Sequence, residues 1–304
     1  MIPISDDFAR TIIQHRGLGA QAWLDRLPHI LDIASRRWSL TLGEPYTALS
    51  YNFVTRATRA NDMPVVLKVG FPEDKEFGME AEALRLCDGH GMVRLLDASP
   101  DDATLLLERL EPGTLLATLE DDDQATVIAA RVMRQLWRRP PEHHTFPTIA
   151  RWALGLARHR ARFGGPGPIP PALFDQAVAL YRDLGASMAA PVLLHGDLHH
   201  FNILSATREP WLAIDPKGLV GEPAYETGAL LRNPWPQVLS RPNLDRVLAR
   251  RIALLADELA IDRARIHGWA LAQAVLSACW TLEDEDDAYR AEYPIAIAQA
   301  LADL

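Results

Sequence analysis

The stretch VLLHGDLHHFNIL, residues 192–204, followed after a short gap by WLAIDPKG, residues 211–218, decides how this chain is read. Its polar positions fall in the order His195-x-Asp197-x-x-x-x-Asn202 and then Asp215-x-x-Gly218, the second group closing an apolar run. Phosphoryl transfer asks for a carboxylate beside the attacking hydroxyl, with an amide oxygen and a second carboxylate to hold Mg2+ on the phosphates. The spacing allows Asp197 and Asn202 to sit at opposite ends of one loop while Asp215 reaches in from a neighbouring strand. The His-Asp-Asn pattern arises by composition alone in on the order of one in several hundred chains of this length, so chance is a poor explanation.

Upstream, VVLK at residues 65–68 ends a predicted strand and presents the Lys68 ammonium to the α- and β-phosphates of a nucleotide. Glu80, in the helix expected over Lys75–Cys87, is placed to pair with Lys68. Glu82 is the rival, turned to a different face by two residues of helix. An amphipathic helix over Ala20–Trp38 opens the fold, followed by strands over 51–58 and Pro64–Val69 that form a hairpin, and by strands over 92–98 and Thr104–Glu108. Beyond Glu111-Pro112-Gly113 the composition moves to Ala, Leu and Arg, with helical periods over 121–138, 147–163 and 171–188 and more helix after Ile214. The expected architecture is α+β. A small antiparallel-sheet lobe over residues 1–110 binds nucleotide, and a larger, mainly helical lobe over 111–304 carries the catalytic and acceptor-binding residues.

At 304 residues and 48% hydrophobic, the chain can bury one large core or two smaller ones. A net charge of -9 argues against a nucleic-acid partner, which needs a basic stripe; it is compatible with a small, cationic acceptor, although mild acidity more often serves only to keep a protein soluble. Cys87 and Cys279 show no C-x-x-C spacing and read as buried, reduced thiols. The opening MIPISDDFAR carries acid where a signal peptide carries base, and no apolar stretch reaches membrane-spanning length, so the expected location is the cytoplasm, away from membranes.

His195-Gly-Asp197-Leu-His-His-Phe-Asn202-Ile-Leu matches the H-G-D-L-H-x-x-N-I-L signature of the aminoglycoside phosphotransferase-like kinases. Asp215-Pro-Lys-Gly, running through Glu226 to Leu230-Leu-Arg-Asn233, resembles the streptomycin 6-kinase and hydroxyurea phosphotransferase branch of that family. The resemblance spans the chain from the strand of Lys68 to about Asn233. It implies a two-lobed, protein-kinase-like fold, ATP as donor with Mg2+, and a hydroxyl of a streptomycin-type aminoglycoside, or hydroxyurea, as acceptor. Asp197 would orient or deprotonate that hydroxyl, and Asn202 with Asp215 would hold the metal. LLLERLEPG, residues 105–113, resembles the family's hinge, so the Glu108 carbonyl and the Leu110 N–H would meet the adenine edge. One departure stands out. LSYNFV, residues 49–54, has no glycine where the phosphate-covering turn should lie, leaving Ser50 and Asn52 to replace it through turn chemistry.

Other readings compete. His195, His199 and His200 with Asp197 have zinc-like spacing, but Gly196 and the strand-to-loop context oppose the helix such a motif needs, and His195 reads as a brace for the loop. The acidic run 283–287 beside Trp280 would receive a guanidinium or ammonium by charge pairing and ring contact, or else is a solvated turn. Glu226 is expected to anchor the helix after Asp215. A nucleotide-binding pseudokinase is the alternative from another functional class, opposed by the filling of every charged catalytic position.

Overall fold

The computed structural model describes residues 4–47, 51–284 and 288–304. The chain divides into two compact units, Met1–Glu111 and Pro112–Leu304.

In the first unit, β1 (Leu40–Pro45), β2 (Phe53–Arg59), β3 (Pro64–Val69), β4 (Leu95–Ser99) and β5 (Thr104–Glu108) form an antiparallel sheet in the order β1-β2-β3-β5-β4. Strand side chains alternate between faces. Val65, Leu67 and Val69 of β3 therefore share a core with Phe53 and Ala57 of β2, and Lys68 belongs to the opposite face. The same core takes Phe8 and Ile12 from α1 (Asp6–Arg16) and Trp23, Leu27, Ile30 and Leu31 from α2 (Ala20–Trp38). Thus α1, capped by the Ser5 hydroxyl on the Phe8 N–H, opens the chain ahead of the helix expected to do so. The helix α3 (Lys75–Cys87) starts at Asp74, whose carboxylate accepts the Glu76 N–H at 2.9 Å.

In the second unit, β6 (Pro112–Leu115) pairs with β8 (Ile203–Ala206), which pairs with β9 (Trp211–Ala213). β7 (Val192–Leu194) pairs with β10 (Leu219–Gly221). The Pro112-Gly113 segment, expected only as a crossing point, is thus itself a strand, held by the Thr114 N–H on the Ser205 hydroxyl at 2.9 Å. The helices are α4 (Asp122–Leu136), α5 (Ile149–Phe163), α6 (Pro171–Ala186), α7 (Pro223–Leu231), α8 (Leu244–Leu259), α9 (Arg263–Asp284) and α10 (Ala288–Ala302). The run Trp269–Ala272 in α9 is completely buried, as are Ala274, Val275, Leu276, Ala278 and Cys279. A helix apolar on nearly all sides must lie inside; α5, α6, α7, α8 and α10 all pack on it. Among the described residues, no helix is long and apolar enough to cross a membrane.

Candidate active site

The loop after β7 is held at its first residue from three directions. His195 Nδ1 accepts the Asp197 N–H at 3.2 Å, so its Nε2–H donates to the Ile214 carbonyl at 2.8 Å. That assignment requires a neutral ring, and burial pushes the imidazole down to about 4, only partly offset by the Ile214 hydrogen bond and the Asp197 and Asp215 charges. The His195 carbonyl accepts the N–H groups of Lys217 at 2.8 Å and Gly218 at 3.1 Å. From α7, the Glu226 carboxylate accepts the N–H groups of His195 at 2.6 Å and Gly196 at 3.0 Å. Burial pushes that carboxyl up to about 7 despite these bonds. Glu226 therefore fastens the loop to its helix, a wider role than anchoring the helix alone.

Asn202 lies beside the segment that ends in Asp215. Its carbonyl accepts the Ile214 N–H at 2.9 Å, and Ile203 of β8 stands opposite Ala213 of β9. The Asn202 amide nitrogen donates to the Asp197 carbonyl at 3.0 Å, so Oδ1 is the atom of that side chain with the capacity to coordinate a metal. Asp215 adopts φ 60°, a left-handed conformation that is unfavourable for a residue with a Cβ, though less so for Asp than for most. Strain of this kind concentrates where a side chain must be aimed. An amide oxygen and a carboxylate are hard donors suited to Mg2+, which takes few protein ligands and completes its shell with phosphate and water. The residues present fit that ion.

Asp197 itself is about a third exposed, with its Oδ2 at 3.7 Å from His199 Nε2. Burial acts to raise its pKa, but His199, then Lys217 and Arg232, outweigh it and hold the carboxyl well below the usual carboxylate range. Asp197 is thus ionised at neutral pH, a good acceptor for a hydroxyl hydrogen and a weak base. Of the other histidines, His199 Nδ1 accepts the Phe201 N–H at 3.2 Å, and His200 is buried with no hydrogen-bond partner for either ring nitrogen among the described residues, its pKa pushed down to about 3 chiefly by that burial. Among the described residues, no three His, Cys, Asp or Glu side chains converge on a metal-binding point.

In the first unit, Lys68 Nζ lies 2.7 Å from both oxygens of Glu80, and both side chains are less than a tenth exposed. Of the two acids proposed for this pairing, Glu80 makes it; Glu82, two residues on, is partly exposed. A buried ion pair is weak evidence for stability because desolvation offsets much of the attraction. Glu108 ends β5, donating its N–H to the Arg94 carbonyl at 3.0 Å and accepting the Arg94 N–H on Oε1 at 3.2 Å. Leu110 follows two residues beyond the strand. Ser50 lies outside the described residues, as do positions 285–287 of the acidic run.

Two further positioning groups leave no sequence motif. Glu222 is buried and receives the Arg265 guanidinium in a fork at 2.7–3.0 Å, together with the Trp269 indole N–H. Arg251, with no exposed surface, donates to both oxygens of Asp122 at 2.5 and 2.9 Å and to the Asn233 carbonyl at 2.6 Å, tying α8 to α4 and to the chain after α7.

Residues 37–285 match the family model described as aminoglycoside/hydroxyurea antibiotic resistance kinase. A streptomycin 6-kinase of Streptomyces glaucescens is 32% identical over 319 residues, covering 99% of this chain and 97% of that protein. A hydroxyurea phosphotransferase of Kitasatospora aureofaciens is 31% identical, covering 99% of this chain and 86% of its own. Among solved structures, choline kinase LicA from Streptococcus pneumoniae overlays with a TM-score of 0.62 at 12% identity, over 91% of this chain and 100% of that one. Macrolide 2'-phosphotransferase MphH from Brachybacterium faecium gives 0.59 at 20% identity, over 91% and 98%. At such identities the overlays speak to fold alone, and the fold is the α+β, protein-kinase-like one. With the family model spanning most of its length, the chain belongs to the aminoglycoside/hydroxyurea antibiotic resistance kinase family.

Proposed function

We propose that this protein transfers the γ-phosphate of ATP to a hydroxyl of a small acceptor, with streptomycin-type aminoglycosides the leading class and hydroxyurea the second. The observation that supports the reading is the 2.9 Å hydrogen bond from the Ile214 N–H to the Asn202 carbonyl, which brings the backbone of Asn202 beside that of the residue preceding Asp215. Mg2+ held by Asn202 Oδ1 and Asp215 would neutralise charge on the phosphates. Asp197 would receive the acceptor hydroxyl's hydrogen bond, orient its oxygen towards phosphorus, and take the proton as the new O–P bond forms and the bond to ADP breaks. Because the transition state of phosphoryl transfer is loose, orientation contributes more than proton abstraction, which suits a carboxylate held so acidic.

Within a nucleotide-binding lobe over residues 1–110, Lys68 would bind the α- and β-phosphates with Glu80 fixing its direction. The Glu108 carbonyl and Leu110 N–H would meet the adenine, and Ser50 would help cover the phosphates. Residues 111–304 would supply the catalytic and acceptor-binding groups. The proposed compartment is the cytoplasm, where ATP and Mg2+ are available. Mg2+-dependent ADP release, measured with streptomycin, other aminoglycosides, hydroxyurea and simple sugars as separate acceptors, tests the reading. Stimulation by streptomycin or hydroxyurea is the expected result. ATP binding without stimulation by any acceptor would favour a pseudokinase.

A further inference from the structure

Of the 31 lysines and arginines in this chain, three are lysines: Lys68, Lys75 and Lys217. Lys75 is exposed at the start of α3, and Lys68 is the buried partner of Glu80. Lys217 is half-buried in the segment that returns from β9 to β10, two residues after Asp215. A chain that carries nearly all its positive charge on guanidinium groups thus places an ammonium there. The two groups differ in use. The planar guanidinium fork fits a fixed carboxylate, whereas the compact ammonium turns three donors towards oxygens whose positions change.

The backbone lays Lys217 against the catalytic loop. Leu219 of β10 pairs with Leu194 of β7, and the His195 carbonyl accepts the Lys217 N–H at 2.8 Å and the Gly218 N–H at 3.1 Å. Gly196 stands at φ 88°, and a Cβ built on it would lie 3.3 Å from Lys217 Cβ, tighter than side chains ordinarily pack. The glycine therefore lets the root of the Lys217 side chain lie beside the residue that precedes Asp197. Pro216, with its fixed φ, stiffens the link between the proposed metal ligand Asp215 and Lys217.

The charges agree with this placement. Burial acts to raise the Asp197 carboxyl, and His199, Lys217 and Arg232 hold it low. A cation so placed makes Asp197 a poorer base, so helping that carboxylate to take a proton is not its use. A phosphoryl group in transfer spreads negative charge over its three equatorial oxygens, and it does so next to an ionised Asp197. A cation beside both offsets that repulsion.

We propose that Lys217 is a further catalytic residue, whose ammonium binds the equatorial oxygens of the phosphoryl group during transfer. The inference rests on the phosphotransfer reading and adds to it a group beyond Asp197, Asn202 and Asp215. As the acceptor oxygen bonds to phosphorus and the bond to the ADP oxygen breaks, the acceptor's proton goes to Asp197. Lys217 keeps its own protons and contributes charge and hydrogen bonds only.

Aluminium fluoride, bound with ADP and Mg2+, mimics a phosphoryl group in transfer. Calorimetric affinity of the full chain for Mg2+-ADP, with and without aluminium fluoride, tests the proposal, and thermal unfolding controls for folding. Aluminium fluoride should tighten nucleotide binding by the wild type. Lys217→Met and the second variant Lys217→Gln are expected to bind Mg2+-ADP within about twofold of the wild type and to lose about tenfold or more of that gain. The same loss is expected when Lys217→Met is combined with Asp197→Asn, because the ammonium acts on the phosphoryl group itself. A loss that disappears in the Asp197→Asn background overturns the proposal, since that is the behaviour of a lysine that only balances Asp197. A full gain kept by both Lys217 variants overturns it alone, whereas a wild type that binds Mg2+-ADP with no gain overturns it together with the phosphotransfer reading.

Discussion

The Glu226 carboxylate on α7 accepts the backbone N–H groups of both His195 and Gly196, at 2.6 and 3.0 Å, and so holds the residue pair that precedes Asp197. Burial raises its pKa from an ordinary 4.5 to about 7. A group raised on folding contributes stability that is fully present below pH 4.5 and lost as pH rises through 7. His195, lowered from 6.5 to about 4, contributes in the opposite sense, losing stability as pH falls through 4. The Glu226 contribution is therefore read as a difference against Glu226→Gln, in which one backbone N–H faces an amide NH2 at a cost of about 1–3 kcal/mol. Urea unfolding of both proteins should show a stability gap that is larger at pH 5 than at pH 8. A gap independent of pH would mean that Glu226 titrates normally.

The Lys68–Glu80 pair separates stability from activity. Removing one partner strands a buried charge, so Lys68→Met alone should cost about 3–5 kcal/mol in denaturant unfolding and raise the KM for ATP about tenfold or more. Lys68→Met combined with Glu80→Leu leaves no stranded charge and should recover most of the stability and none of the ATP affinity. Recovery of both would remove Lys68 from nucleotide binding.

Asp215 stands at φ 60°, a conformation that asparagine also tolerates, so Asp215→Asn changes charge with little change in backbone energy. The variant should unfold at a temperature near that of the wild type, lose roughly a hundredfold or more in kcat, and need about tenfold more Mg2+ for half-maximal rate. An unchanged Mg2+ requirement would place the ion elsewhere.

Much of this fold was legible because its signals are local. The apolar spacing of Trp23, Leu27, Ile30, Leu31 and Trp38 marks α2, and Asp74 marks the start of α3. The helix α1 carries a weak apolar pattern, because among its described side chains Phe8 and Ile12 alone are buried, amid the charged Asp6, Asp7 and Arg10. The strand β6 is not legible in the sequence, where the segment stands out only as a crossing point, because Pro112 and Gly113 are poor strand formers and its partner β8 lies some ninety residues downstream. At the site, the identities of Asp197, Asn202 and Asp215 stand in one short signature. The grip of Glu226 on the loop, of Arg251 on Asp122 and of Arg265 on Glu222 joins residues 30 to 129 positions apart, by bonds that leave no periodicity to find.

Asp197 is held ionised by His199, Lys217 and Arg232 and faces a reaction in which position counts for more than basicity. Wild type and Asp197→Asn, each saturated with Mg2+ and ATP and then mixed with streptomycin, provide the most direct test, with phosphorylated streptomycin detected by mass spectrometry and its rate of formation followed. Product is expected from the wild type, and from Asp197→Asn a rate lower by about a hundredfold to ten-thousandfold with the KM for ATP within about threefold of the wild type. Product formed at equal rates by the two proteins would contradict this role of Asp197.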